Sequence, residues 1–399
     1  MASVKALTDL TLRDLWREVK DPATLWGDIS RETTRAVKHL LENRMHDELA
    51  DYLRAARYVR LPRRRGYRNG HYYRRLTTTY GTIPDLEIPR SRDGGFHPSV
   101  VDRYQQRLPQ VDELIRNVFL GGVSTRQVGP VLAQVLGDTV SAATVSTVTK
   151  TLDRAVETFH HRPLADRYRY LMLDGVSLRV KTPDGMRRRL VLVAYGVTTT
   201  GQRELLDYRL VRQEGQGPWE AFLTTLACRG LTGRQLQLIT TDGQRGLHAA
   251  LDLVYPHVPR QACWVHVLRN VARHLRVRDR ERCLHLARRI YHARSRAAAE
   301  RALWQWVRAW RRVAPNAVAS LLRDWEALLA FYHAPERDWR RVRTTNAIER
   351  VFREIRRRTR PMTCFTNTAS CERIVFAIAS ATNKRWEGRL LWRDFTQNS

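Results

Sequence analysis

The sequence predicts an α/β protein in which a strand-rich middle lies between mainly helical segments. Apolar runs such as YRYLMLDG, RRLVLVAYGV and LQLITTDG cluster between residues 168 and 243, short and continuous enough for strands buried on both faces. Before and after them the apolar residues recur at three and four positions, the spacing of amphipathic helices.

A chain of 399 residues with 43% hydrophobic content has material for two or three domains with real cores, which excludes disorder as its default state. Its 70 basic and 40 acidic residues leave a charge of +30. A field of that sign attracts polyanions by steering and counterion release, so nucleic acid is the expected partner. Only six of the basic residues are lysine; arginine, whose planar fork grips phosphate bidentately, supplies the rest. No apolar run is long enough to span a membrane, and the opening MASVKALTDLTLRDL lacks the apolar core of a signal peptide. Five cysteines at 228, 263, 283, 364 and 371 form no paired framework, so free thiols and a cytoplasmic location are expected.

Taken in order, residues 8–56 read as helical, with Val37, Leu40, Leu41, Met45, Leu49 and Leu53 as an apolar stripe for packing or dimerisation. The stretch RAARYVRLPRRRGYRNGHYYRR follows, with Arg63, Arg64, Arg65, Arg68 and Arg74 interleaved with tyrosines. Arginine holds phosphates and tyrosine stacks or hydrogen-bonds, so this segment is expected to touch DNA. The next segment, TTTYGTIPDLEIPR, alternates like short strands. A helix over about 124–136 then meets Gly137, and Ser141 caps a second helix carrying Val145, Val148, Leu152 and Val156. Two helices around a glycine-bearing turn suggest a helix-turn-helix with Lys150 facing the groove and Arg126 meeting the backbone, although an ordinary helical hairpin fits the pattern as well.

From about residue 166 come three adjacent strands, a helix at WEAFLTTLACRG and a fourth strand, the order of a ribonuclease-H-like, retroviral integrase-like domain. RQACWVH reads as a further short strand. Residues 268–343, rich in Arg, Ala and Trp, read as an all-helical insertion in which Trp304, Trp306, Trp310 and Trp325 fill a core. The expected segments are therefore 1–56 (helical, dimerisation), 57–110 (basic, DNA-binding), 111–162 (helix-turn-helix-like), 163–267 (catalytic core, first part), 268–343 (insertion) and 344–399 (catalytic core, last part).

Three acids stand out against this frame. Asp174 and Asp242 each end an apolar run and precede a glycine, which delivers them to the open end of a sheet, where α/β proteins collect ligands. Glu349 shares one helix face with Asn346, Arg353 and Arg357. Asp207 and Asp184 are the nearest substitutes and sit in poorer settings. Cys263 and His266 form a lone C-x-x-H pair, short of the four donors zinc needs, which favours a structural or DNA-positioning role. Arg269, Asn346, Arg356, Arg357 and Arg358 lie near these acids in sequence and are expected to face DNA.

The blocks RNGHYYRRLTTTYGTIPDLEIPRSRDGGFHP, GGVSTRQV, LDGVSLRV, TTDGQRGL, QACWVHVLRNV and TTNAIERVFREIRRRTRPM, in this order and nearly end to end, resemble the Mutator-type transposases of bacterial insertion sequences. The resemblance implies a catalytic and metal-binding triad of Asp174, Asp242 and Glu349 holding two Mg²⁺ or Mn²⁺ ions, which hard oxygen ligands select over zinc. It also implies cleavage at the terminal inverted repeats of double-stranded DNA, joining to a target, and a homodimer, since two element ends need two sites. A catalytically silent DNA-binding regulator derived from a transposase, or a structure-specific nuclease that cuts but never joins, remain the alternatives.

Overall fold

The computed structural model describes residues 25–59, 61–183, 185–360, 365 and 367–390; Asp184, Cys364 and the first 24 residues, named above, lie outside them. The chain divides into two compact units, Met1–Thr151 and Leu152–Ser399.

In the first unit, helix α1 (Leu25–Leu53) packs on an antiparallel hairpin of β1 (Arg68–Thr78) and β2 (Gly81–Ser91). Met45 is buried against Leu76, Ile83, Leu86 and Ile88, while Leu49 and Leu53 meet Phe96. Leu40 departs from the expected stripe: it is 60% exposed, because the helix turns 100° per residue and Val37 and Leu41 already take the inward positions. Helices α2 (Pro109–Leu120), α3 (Thr125–Leu136) and α4 (Ala142–Lys150) pack together. The expected turn signals act as read: Gly137 closes α3 at φ +65°, and the Ser141 hydroxyl accepts the Thr144 amide at 3.1 Å to cap α4. The second helix does not run on through Leu152 and Val156. It ends at Lys150, and those residues belong to the other unit.

The second unit begins with α5 (Asp153–His161) and a five-stranded sheet of order β5-β4-β3-β6-β7. Strands β3 (Tyr168–Thr182), β4 (Gly185–Thr198) and β5 (Arg203–Val211) pair antiparallel; β6 (Leu238–Thr241) lies parallel to β3, and β7 (Arg260–Ala262) parallel to β6. Helices α6 (Gln216–Cys228) and α7 (Arg245–Val254) cover one face, where Trp219, Phe222 and Leu247 pack on Leu171, Leu173 and Leu192. Side chains alternate along a strand, so Met172 and Asp174 point to the other face.

RQACWVH is not one strand. The ladder stops at Ala262, and Cys263 begins helix α8 (Trp264–Arg273), which carries His266. Helices α9 (Val277–Tyr291), α10 (Arg296–Trp310), α11 (Pro315–Leu322), α12 (Trp325–Leu328) and α13 (Glu336–Val342) follow. Trp306 and Trp310 are buried there, but Trp304 is 47% exposed beside the half-buried Trp325, so the four tryptophans do not share one core. The chain then returns to the sheet as α14 (Asn346–Thr359) and α15 (Thr368–Trp386). Asp207, on β5, is buried and committed: His160 Nδ1 lies 2.6 Å from Oδ1, and Arg229 binds Oδ2.

Gly129 marks the closest backbone approach in the first unit, since a Cβ there would lie 2.1 Å from the Val140 carbonyl oxygen. Gly129→Ala is expected to cost about 1–3 kcal/mol by overpacking, read as a lower urea midpoint; an unchanged midpoint would contradict this packing.

Candidate active site beyond the β3–β6 ladder

The parallel register of β3 and β6 pairs Met172 with Thr240, so two residues further on Asp174 and Asp242 stand side by side. Asp174 is 4% exposed. Its Oδ1 accepts the Gly175 amide at 2.8 Å, and its Oδ2 has no partner. Asp242 Oδ1 accepts the Gln244 amide at 3.2 Å, across a turn that Gly243 makes at φ +86°. Burial drives Asp242 up to about 6, with the Asp174 charge adding to the rise. Burial also raises Asp174 and the Glu349 charge reinforces it, against the pull of His266, the Gly175 amide and the Thr345 hydroxyl.

Glu349 lies in the first turn of α14, where the helix dipole favours an anion. Ile348, Val351, Phe352 and Ile355 bury that helix and leave Glu349 half-exposed at the edge of the stripe. Its Oε1 accepts from Arg269 at 3.4 Å. Among the described residues no three His, Cys, Asp or Glu side chains form a ready metal-ligand group. The aspartate pair nonetheless suits a cation: the carboxylates of buried Asp174 and half-buried Asp242 repel each other and one oxygen is orphaned, a deficit that a hard divalent ion would remove.

A long insertion separates Glu349 from the aspartates in sequence, and hydrogen bonds bring it back. The Thr240 hydroxyl donates to the Val342 carbonyl at 2.5 Å, and the Trp264 amide to the Arg343 carbonyl at 3.2 Å. The Thr345 amide and hydroxyl donate to Cys263 Sγ at 3.3 and 3.4 Å. Cys263 therefore anchors the start of α14, a role its C-x-x-H spacing did not announce; Thr345 itself was marked only by its place beside Asn346. His266 is pushed upward, first by the Cys263 sulfur and further by Asp174 and Asp242, against the effect of its burial. No hydrogen bond of normal geometry joins it to Cys263, and its Nδ1 is buried without a partner.

The other expected contact residues scatter. Asn346 and Arg356 are exposed on α14, Arg357 pairs with Glu354 at 3.0 Å, and Arg358 is half-buried. In the first unit Arg63, Arg126 and Lys150 are exposed. Arg64 and Arg65 stack on Tyr67 and Tyr52, each at 4.8 Å. Arg74 donates to the Asp102 carbonyl at 2.9 Å and the Tyr72 hydroxyl at 2.7 Å, and the Arg68 Nε is buried without a partner. Several of these arginines thus brace the basic segment as well as charge it.

The family model described as "Transposase, Mutator family" matches residues 12–388, and the chain belongs to that family. It is 33% identical over 368 residues to the transposase for insertion sequence element ISRM5 of Rhizobium meliloti (strain 1021), covering 92% of this chain and 91% of that one. It is 31% identical over 355 residues to the transposase for IS905 of Lactococcus lactis subsp. lactis (strain IL1403), covering 88% and 90%. A chain in a simian T-cell lymphotropic virus intasome in complex with PP2A regulatory subunit B56 gamma shares 12% identity, with 52% of this chain and 64% of that one covered at a TM-score of 0.17, too low to bear on the fold.

Because the folded protein holds a proton on Asp242 more tightly than the unfolded chain does, the contribution of this group to stability falls as pH rises from 4 to 6 and the deficit is complete above 6. In EDTA, Asp242→Asn is expected to be more stable than wild type by ~2 kcal/mol at pH 7.5 and no more stable at pH 4. Equal melting temperatures at pH 7.5 would contradict the burial of that charge.

Proposed function

We propose that Asp174, Asp242 and Glu349 cut and join the DNA of an insertion sequence, within a ribonuclease-H-like, retroviral integrase-like domain. The observation that carries this reading is the pair of carboxylates set together by strand register, with one oxygen unpartnered. The three antiparallel strands continued by two parallel ones support the fold assignment. The two aspartates, joined by Glu349, would hold Mg²⁺ or Mn²⁺. When bound, a pair of such ions polarises the phosphodiester, lowers the pKa of an attacking hydroxyl and stabilises the leaving oxygen.

The chain's own residues do the rest. Arg269 gives up Glu349 and turns its half-exposed guanidinium to a phosphate; His266, when protonated, adds a second positive group beside the aspartates. Cys263 and Thr345 hold the start of α14 so that Glu349 meets the aspartates at a fixed distance, and Asn346 on the same helix face steadies it by hydrogen bonding. Water attacks first and frees a 3′-OH, which then attacks the second DNA in the same in-line geometry, so neither a covalent protein intermediate nor ATP is needed. The basic hairpin and the α3–α4 pair read the terminal inverted repeats, through Arg63, Arg68, Arg126 and Lys150. Two ends require two copies of the chain, hence a dimer in the active complex.

Alanine at Asp174, Asp242 or Glu349 is expected to abolish end cleavage and joining on labelled duplexes while DNA affinity stays within a few-fold; activity surviving in any one of them refutes the triad. Mg²⁺ in the millimolar range is expected to raise the melting temperature of the wild type and to leave that of Asp174→Ala/Asp242→Ala unmoved. An equal rise in both would place ion binding elsewhere.

A further inference from the structure

Past Asp174, β3 and β4 continue as a ribbon that outruns the rest of the sheet. The ladder to β6 ends at Met172, and the ladder to β5 ends at Leu190. The stretch from Ser177 to Leu190 carries Arg179, Lys181, Arg187, Arg188 and Arg189 against a single acid, Asp184. Arg179 lies directly opposite Arg188 in the antiparallel register, and both are exposed. Like charges paired across a strand destabilise it, and among the described residues neither makes an ion pair. The ribbon is also held in place: Phe365 is buried beside it, donating its amide to the Arg179 carbonyl at 3.0 Å and accepting the Lys181 amide at 2.9 Å. Unneutralised guanidiniums on a braced two-stranded element call for an anionic partner. A major groove admits such a ribbon, and its flanking phosphates suit arginine forks.

We infer that the β3–β4 ribbon grips duplex DNA flanking the phosphodiester under attack, with Arg179 and Arg188 each holding a backbone phosphate. The location of the cut rests on the acid site proposed above. Arg179 is five residues beyond Asp174 on the same strand, about 16 Å at the rise of a β-strand. At 3.4 Å per base step the contact falls about five base pairs from the cut.

Arg179→Gln/Arg188→Gln tests this without threatening the fold, since it removes a repulsion and no partner. The affinity for an end duplex extending at least 15 base pairs to either side of the cut is measured against salt. Loss of two phosphate contacts is expected to make the slope of log affinity against log salt shallower by about 2, with a melting temperature no lower than that of wild type. On duplexes trimmed to three base pairs on each side of the cut in turn, one trimming is expected to abolish the difference between variant and wild type. An unchanged slope on the long duplex overturns the ribbon contact, and a difference that survives both trimmings overturns its placement. Cleavage by Asp242→Ala is followed in parallel. If that variant still cuts, the acid site fails, while the slope on the long duplex still decides whether the ribbon holds DNA.

Discussion

The candidate site depends on the three-residue parallel ladder between β3 and β6, because it sets the buried Asp174 beside the half-buried Asp242. Neither aspartate is comfortable there: both titrate upward, and Asp174 keeps an oxygen without a donor. Strained or unsatisfied groups persist only where the surrounding structure determines them. The support here is a core of large aromatic and aliphatic side chains on the opposite face of the sheet, from Trp219, Phe222 and Leu247 to Leu171 and Leu173.

A second constraint returns the chain to this point after the helical insertion. The backbone at Val342 and Arg343 is fastened to β6 and α8, and Thr345 to Cys263. The start of the Glu349 helix is thereby fixed by hydrogen bonds to buried partners, which are costly to leave unmade. Further bonds tie α15 to α5 and to the sheet: Arg373 clasps Asp153 on α5 at 2.6 and 2.7 Å, and Asn383 bonds both the amide and carbonyl of Leu205 on β5.

Part of the setting of the acids was legible: an apolar run, an aspartate and a glycine mark the end of β6 at Asp242, and the spacing of Asn346, Glu349, Arg353 and Arg357 marks one face of α14, whereas Asp174, read as a strand end in the same way, lies inside β3, which runs on to Thr182. Gly137 and Ser141 were legible because each has one local job. Other features were fixed by tertiary contacts that periodicity does not contain. Leu40 has the right spacing but faces away from the hairpin, and CWVH follows a strand too short to include it. The helix expected to continue through Leu152 ends at Lys150, and Val156 is buried within the second unit instead. Asp207 stands in a strand much as Asp174 does, and only the positions of His160 and Arg229, remote in sequence, reveal that it is already neutralised.

The connection of α15 back to β5 bears on the order of events during synthesis. Leu205 on β5 is bonded by Asn383 and Asp153 on α5 by Arg373, 178 and 220 residues further on, so the sheet and α5 are tied to α15 only after Asn383 has been synthesised. Such distant pairings form late and make folding slow. A chain that stops short of α15 therefore has β5 and α5 in place without the bonds that tie them to that helix.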